Sequence, residues 1–380
     1  MRILAVDIGT GTQDILLYDT DLQPENSFKL ILPSPTMMVA RQVKAATRHA
    51  RPLLLTGVAM GGGPSHWAVR DHARAGNDVF ATPEAAATFD DDPVKVGEMG
   101  IQLVDQSEAA RLQRYRGNLL HLNLQDFDYP LLTEMFSRFG IDTQFDGVAV
   151  AVFDHGAAPP DVSDRQFRFD YLDRRIREHN RLSAFAYAAD DIPAEMTRLR
   201  SVSHTATADG VKSSRLLVMD TAPAAVLGAT CDPLVRRRGG GLIANVGNFH
   251  TLAFRLGEGG IDGLFEHHTG EVTAEKLDRL LSSLAASSLK NEDVFQDQGH
   301  GALVYNRRPC EPGVITVTGP RRGMMVKSKH KIYYAVPYGD MMITGCWGMI
   351  RAWADVFLDD KAVIEESLRG AKTVAPWELV

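Results

Sequence analysis

Cysteine is scarce in this sequence. Cys231, Cys310 and Cys346 are its only three, far apart and without a CxxC pair. That spacing argues against a disulfide framework, excludes an iron–sulfur cluster held by closely spaced cysteines of one chain, and fits a reducing cytoplasm. Long apolar runs are missing too: none approaches the roughly 20 residues that span a bilayer, and no signal peptide is visible. A surplus of positive charge is also lacking. The formal charge is −7, which argues against nucleic acid and against an anionic membrane as partners. Arg236-Arg237-Arg238 is the one basic cluster of note, and it reads as a solvated loop face before a strand. With 44% hydrophobic and 23% charged residues, the 380-residue chain has an ordinary soluble composition and room for two or more domains.

What is present is most telling at the start. Ile3–Val6 is an apolar run that ends in Asp7; Ile8-Gly9-Thr10-Gly11-Thr12 follows, then a second apolar run to Asp19. The turn is too short for a helix, so the segment reads as a β-hairpin with a small, polar tip beside one carboxylate. Such a tip offers N–H and hydroxyl donors to a phosphate while the carboxylate holds a metal or a water. A Walker loop would need a lysine after its glycines, and a dinucleotide fingerprint would need the glycines to open a helix. Neither is here, since Gln13 to Asp19 reads as a strand. Without a ligand the segment is simply a tight turn.

Further along, 52–60 reads as a buried strand broken by Gly61-Gly62-Gly63-Pro64, with Ser65 capping a helix through Ala73. That junction either presents N–H groups to an anion or is a plain connection. The stretch from Asn77 to Gln106 resists assignment. Leu119–Leu124 reads as a strand, and Leu132, Met135, Phe136 and Phe139 fall at helical spacing before Gly140. Val148–Phe153 is apolar on both faces, as in the middle of a covered sheet, and stops at Asp154-His155-Gly156. Open α/β sheets place functional residues at such strand ends, which makes Asp154 and His155 candidates for proton transfer; turn formation or capping is the alternative for Asp154. Residues 161–182 are dense in charge and read as an exposed helix or an ordered insertion. His66, His250, His267, His268 and His300 are scattered; adjacent His267 and His268 would face opposite ways in a strand, so no zinc site is expected.

Gly240–Phe254 echoes the start: apolar strand, polar residue plus glycine, short turn, apolar strand. Two such hairpins suggest two similar domains facing each other, with a ligand between their tips. The order of elements resembles the actin, Hsp70 and sugar-kinase superfamily. Residues 3–19 look like its first phosphate loop, 216–230 its first connecting segment, 241–255 its second phosphate loop, 315–325 its adenosine loop and 339–356 its second connecting segment. Within that superfamily the chain most resembles the DUF1786 family. Some of its members carry a label naming them pyruvate formate-lyase activating enzyme, but a radical enzyme of that kind needs a CxxxCxxC site, and this chain has none.

The resemblance implies an α/β fold of two ribonuclease-H-like, actin-like domains with a nucleotide cleft between them. The domains would be 1–213, with a charged insertion near 157–185, and 214–380. It implies ATP and Mg²⁺ as cofactors, with Asp7 on the metal. Gly9, Thr10, Gly11, Thr12 and Gln13 would contact phosphate from one side, and Asn245, Gly247, Asn248 and Thr251 from the other. Gly319 and Pro320 would lie beside the adenosine. Asn245 stands where the superfamily usually has an aspartate, and an asparagine brings no charge to metal or water. The functions implied are an ATP-dependent phosphotransferase acting on a small molecule, an ATP-driven switch acting on a partner protein, or a non-catalytic binding relative.

Overall fold

The computed structural model describes residues 1–370, Val374 and Trp377. Its first sheet begins with β1 (Arg2–Ile8), β2 (Thr12–Asp19) and β3 (Phe28–Pro33), an antiparallel meander. The chain then leaves this sheet and builds a separate four-stranded parallel one from β4 (Leu53–Gly57), β5 (Val79–Ala81), β6 (Ile101–Leu103) and β7 (Leu120–Leu124), in the order β6-β5-β4-β7. It returns as β8 (Gly147–Val152), β9 (Ala186–Ala188) and β10 (Leu216–Asp220). The completed first sheet runs β3-β2-β1-β8-β10-β9, with β8 and β10 parallel to β1.

The second sheet comprises β11 (Gly241–Val246), β12 (His250–Gly257), β13 (Gly260–His268), β14 (Gly301–Val304), β15 (Val314–Thr318) and β16 (Lys331–Tyr334). Its order, β14-β13-β12-β11-β15-β16, repeats the plan of the first: a hairpin that opens the sheet, a third antiparallel strand, then parallel strands on the other side of the opening strand. Both sheets are ribonuclease-H-like. The first takes strands from both sides of residue 213, so the expected division at 213/214 does not coincide with the sheets; β10 completes the first sheet because it pairs with β8 and β9.

Alternation along β1 explains how the first sheet is covered. Leu4 and Val6 point into one core with Val148, Val150, Phe169, Leu172, Leu199 and Val202. Ile3 and Ala5 point into the other with Ala149, Ala151, Trp347 and Trp353. Strands buried on both faces carry no polar alternation, which is why Gly147–Val152 reads as unbroken Gly, Ala and Val. Small residues on the second face make room for two tryptophans: a Cβ on Gly147 would collide with the Trp353 ring.

Two helices cross between the sheets. Thr221–Ala229 leaves the first sheet and packs toward the second; Thr344–Val356 leaves the second and covers β1 and β8. They touch backbone to backbone, since a Cβ on Gly228 would lie 2.7 Å from the Thr344 carbonyl carbon and one on Gly348 2.7 Å from that of Ala224. The charge-dense segment folds as the helix Asp164–Glu178, but it is not simply exposed. Arg168, Phe169, Tyr171, Leu172 and Ile176 form a buried face. Among the described residues, no helix is long and apolar enough to cross a membrane.

Candidate functional site

The two hairpin tips meet. A Cβ on Gly11 would stand 2.6 Å from Asn248 Nδ2, so the first tip touches the second side chain to backbone. Each tip closes by the same bond, Gly9 N–H to Thr12 O at 2.9 Å and Gly247 N–H to His250 O at 3.0 Å. The Gly9 amide, expected to face phosphate, is therefore engaged within its own turn. Ser34 fixes the first tip from behind: its hydroxyl donates to Thr10 O at 2.8 Å and its N–H to Gly11 O at 3.2 Å. Among the described residues, no protein acceptor takes the Thr10 or Gly11 N–H.

Beneath the tips lies a cavity of about 690 Å³. Of the residues singled out from sequence, Asp7, Gly9, Thr10, Thr12, Asp154, His155, Asn245, Gly247, Asn248, Gly319 and Pro320 line it. Gly11, Gln13 and Thr251, expected to reach phosphate, do not. Gln13 is buried and donates from Nε2 to Pro33 O, while the Thr251 hydroxyl pairs with that of Thr269. Residues on a strand alternate faces, and these two fall on the wrong one. Gly319 has φ near +97°, and a Cβ there would meet Asn245 and Val246, so only glycine fits.

The parallel four-stranded unit supplies a third wall through Ala59–Gly63 and Ala87–Asp92. Asp126 holds that wall in place. It accepts from Gly61 N–H and from Arg198 Nε and Nη2, and Arg198 Nη1 donates to Phe153 O at 2.6 Å. Trp67, on the helix Pro64–Arg74, reaches across to Phe249 of the second tip, with ring centroids 5.9 Å apart. That helix is preceded by Gly63 rather than capped by Ser65, whose hydroxyl instead turns back to Gly61 O.

At the cavity floor, Asp7 and Asp14 are direct cross-strand partners, a like-charged pair on one face. Burial raises Asp7 to about 6, against the Thr221 hydroxyl that donates to it at 2.6 Å. Burial and the nearby Asp7 charge raise Asp14 to about 8, and its Oδ1 is buried without a hydrogen-bond partner. Gly345 closes the floor, because a Cβ there would sit 2.6 Å from Asp7 Cγ and closer still to Oδ2. Asp14 was legible from strand alternation opposite Asp7; Thr221, Ser34 and Gly345 left no such signal.

Asp154 is buried and fully engaged. Oδ1 accepts from Gly156 N–H at 2.8 Å and Oδ2 from Leu199 N–H at 2.9 Å, so it anchors its own turn and the start of the helix Thr197–Ala208. His155 enters a group of aromatic and imidazole rings. Phe153 stacks on His250 with centroids 4.0 Å apart, and His155 Nε2 lies 3.0 Å from His300 Nε2. Burial holds His155, His250 and His300 below the ordinary imidazole value, to about 2 for His300. His250 and His300, which look scattered in the sequence, are gathered by the fold beside His155. Behind them, Arg168 bridges the sheets, pairing with Asp220 at 2.6 Å and with Glu266 at 2.8 Å.

Two ribonuclease-H-like sheets that face one cleft through opposed hairpin tips define an actin-like fold. The chain belongs to the DUF1786 family, whose model, described as "Putative pyruvate format-lyase activating enzyme (DUF1786)", matches residues 60–324. Similar solved structures include the activator of the 2-hydroxyisocaproyl-CoA dehydratase from Clostridium difficile with bound ADPNP, at 9% identity and a TM-score of 0.33 over 99% of this chain and 100% of that one. They also include the ethanolamine utilization protein EutJ from Carboxydothermus hydrogenoformans, at 9% identity and a TM-score of 0.32 over 92% and 89%. An exopolyphosphatase-like protein is 11% identical, with a TM-score of 0.27 over 84% and 65%. A search of curated proteins gave no match.

Proposed function

We propose that this chain binds ATP with Mg²⁺ in the cleft and transfers the terminal phosphoryl group to a small-molecule acceptor. The observation that carries the reading is the convergence of the two hairpin tips above the Asp7–Asp14 pair. Two buried carboxylates facing each other, one with an unpartnered oxygen, suit a hard dication that takes one or two protein carboxylates. Asp7 and Asp14 would hold the ion, and Mg²⁺ would spread the charge of the polyphosphate.

The chain's own contribution is positioning. The amide of Thr10 and the hydroxyls of Thr10 and Thr12 would cradle phosphate from the first lobe. Asn248 would do so from the second, its turn closed by the Gly247 N–H, and Gly319 and Pro320 leave backbone close to the base or ribose. Asn245, without charge, orients by hydrogen bonding alone. Asp154 serves as an anchor of the wall rather than as a base, since both its oxygens are taken by amides. His155 faces the space left for an acceptor.

A second reading is an ATP-driven switch acting on a partner protein. The Trp67–Phe249 contact across the cavity mouth favours it, because Trp67 remains 46% exposed and would be uncovered further by opening. Calorimetric titration of ATP into wild type and Asp7→Ala, with and without Mg²⁺, tests binding. Mg²⁺-dependent binding lost in Asp7→Ala supports the site, and no binding to wild type refutes both readings. Turnover that rises with one compound of a metabolite panel supports transfer; slow hydrolysis indifferent to every compound favours the switch.

A further inference from the structure

We propose that His155, His250 and His300 form a site for one divalent transition-metal ion of the zinc class, distinct from the Asp7–Asp14 pair and independent of the nucleotide reading. One ring nitrogen from each lies within 4.8 Å of the other two. Tetrahedral zinc at about 2.0–2.1 Å from imidazole nitrogens sets those nitrogens about 3.3 Å apart. The observed spacings, from 3.0 Å for His155–His300 upward, differ from that by at most about 1.5 Å, within reach of side-chain torsions.

Three further features select a metal over a plain imidazole–imidazole hydrogen bond. First, such a bond occupies Nε2 of His155 and of His300 but leaves His250 Nε2 and His300 Nδ1 buried with no hydrogen-bond partner. Second, His300 is oriented as ligands are. Its Nδ1 faces Glu266 Oε1 at 3.5 Å, and Arg168 fixes that carboxylate through Nε and Nη2 at 2.9 and 2.8 Å. That contact is longer than a made hydrogen bond; drawn in to hydrogen-bond distance with the proton on Nδ1, it would leave the Nε2 lone pair of His300 toward His155, the carboxylate–histidine arrangement of metal sites. Third, His155 and His250 line the cavity whereas His300 is fully buried, so three protein nitrogens leave a fourth position open to the cleft for water or a substrate oxygen. Three neutral imidazoles suit zinc, copper, nickel or iron and not magnesium, which takes oxygen.

The ligands come from both lobes. His155 follows β8 of the first sheet, His250 opens β12 and His300 precedes β14 of the second. A bound ion therefore ties the two sheets together at the cleft floor.

The test uses tag-free, chelator-stripped full-length protein in nucleotide-free buffer. ZnCl₂ is titrated calorimetrically with excess MgCl₂ present, and CoCl₂ is followed by visible and X-ray absorption. One equivalent of Zn²⁺ is expected to bind, with imidazole nitrogen around Co²⁺. His155→Ala, His250→Ala and His300→Ala should each weaken binding at least 100-fold, while His204→Ala on an exposed helix face should not. Circular dichroism checks folding; where an alanine variant does not fold, His155→Gln and His250→Gln replace it. Absence of stoichiometric Zn²⁺ binding to wild type overturns the proposal. So does unchanged affinity in all the histidine variants, or a Co²⁺ spectrum without imidazole. Because no nucleotide is present, either result leaves the ATP reading to its own experiment.

Discussion

Gly345→Ala tests the floor of the cleft most sharply. The residue lies in the first turn of the helix Thr344–Val356, where alanine gains at most about 1 kcal/mol over glycine. Against that, the new methyl would stand 2.6 Å from Asp7 Cγ, so the Asp7 carboxylate must move off the Thr221 hydroxyl. Overpacking costs about 1–3 kcal/mol, and a lost hydrogen bond to a charged group costs about 1.5–3. The expected net destabilisation is about 1.5–5 kcal/mol, with Mg²⁺–ATP binding weakened alongside. In an Asp7→Ala background the clashing atoms are gone and the nearest remaining atom is the residue-7 Cβ at 3.3 Å. There Gly345→Ala should be neutral or stabilise by up to about 1 kcal/mol. Urea unfolding of wild type, both single variants and the double variant measures the coupling, expected at about 1.5–6 kcal/mol. Additivity within about 0.5 kcal/mol would refute the contact on which the reasoning rests.

Other substitutions probe the neighbouring features. Asp14→Asn removes a carboxyl that must take up a proton to stay buried beside Asp7, a cost that grows as pH rises from about 4 to about 8; it should raise the melting temperature in EDTA at neutral pH and weaken the Mg²⁺ dependence of ATP binding, read by thermal shift with and without the ion. Arg168→Met leaves Asp220 and Glu266 buried without their cation and should cost about 3–5 kcal/mol in chemical denaturation; the triple variant Arg168→Met/Asp220→Asn/Glu266→Gln should regain most of it. Trp67→Phe should abolish any change in tryptophan fluorescence on Mg²⁺–ATP addition, because Trp67 is the tryptophan that touches the second tip. Gly228→Ala drives a methyl into the Thr344 backbone, which no side-chain substitution relieves, so it should destabilise more than Gly345→Ala in the same urea assay.

The hairpins were legible because their chemistry is local. Glycine, threonine and one carboxylate between apolar runs announce a tip whatever surrounds it, and the repeat at Gly240–Phe254 announces a partner. Of the four-stranded unit, β4 and β7 were legible as apolar runs, but β5 and β6 were not, since they are three residues each and too short to show a period. Arg168 hid among charged neighbours: on a helix one face of a charge-rich segment can be core, and only its partners Asp220 and Glu266, 52 and 98 residues away, reveal which. The histidine group hid for a like reason. Its members come from three strand ends in two sheets, and no spacing along the chain records a meeting in space. Asp154 misled in the opposite sense, for a strand-end carboxylate serves as well to gather amides as to gather protons.

The helix Thr344–Val356 covers a sheet whose last strand was made long before it. Trp347 and Trp353 complete the core over Ala5, Ala149 and Ala151, yet they follow Asp220 by more than a hundred residues. At roughly 5–20 residues per second, synthesis takes on the order of ten seconds to supply that cover. Throughout that interval the nascent first sheet keeps one apolar side open on the ribosome, so vectorial folding cannot finish the first lobe first. Truncation anywhere before Trp353 opens the interior of the first lobe, although every strand of that lobe is already made, and leaves the core of the second sheet complete.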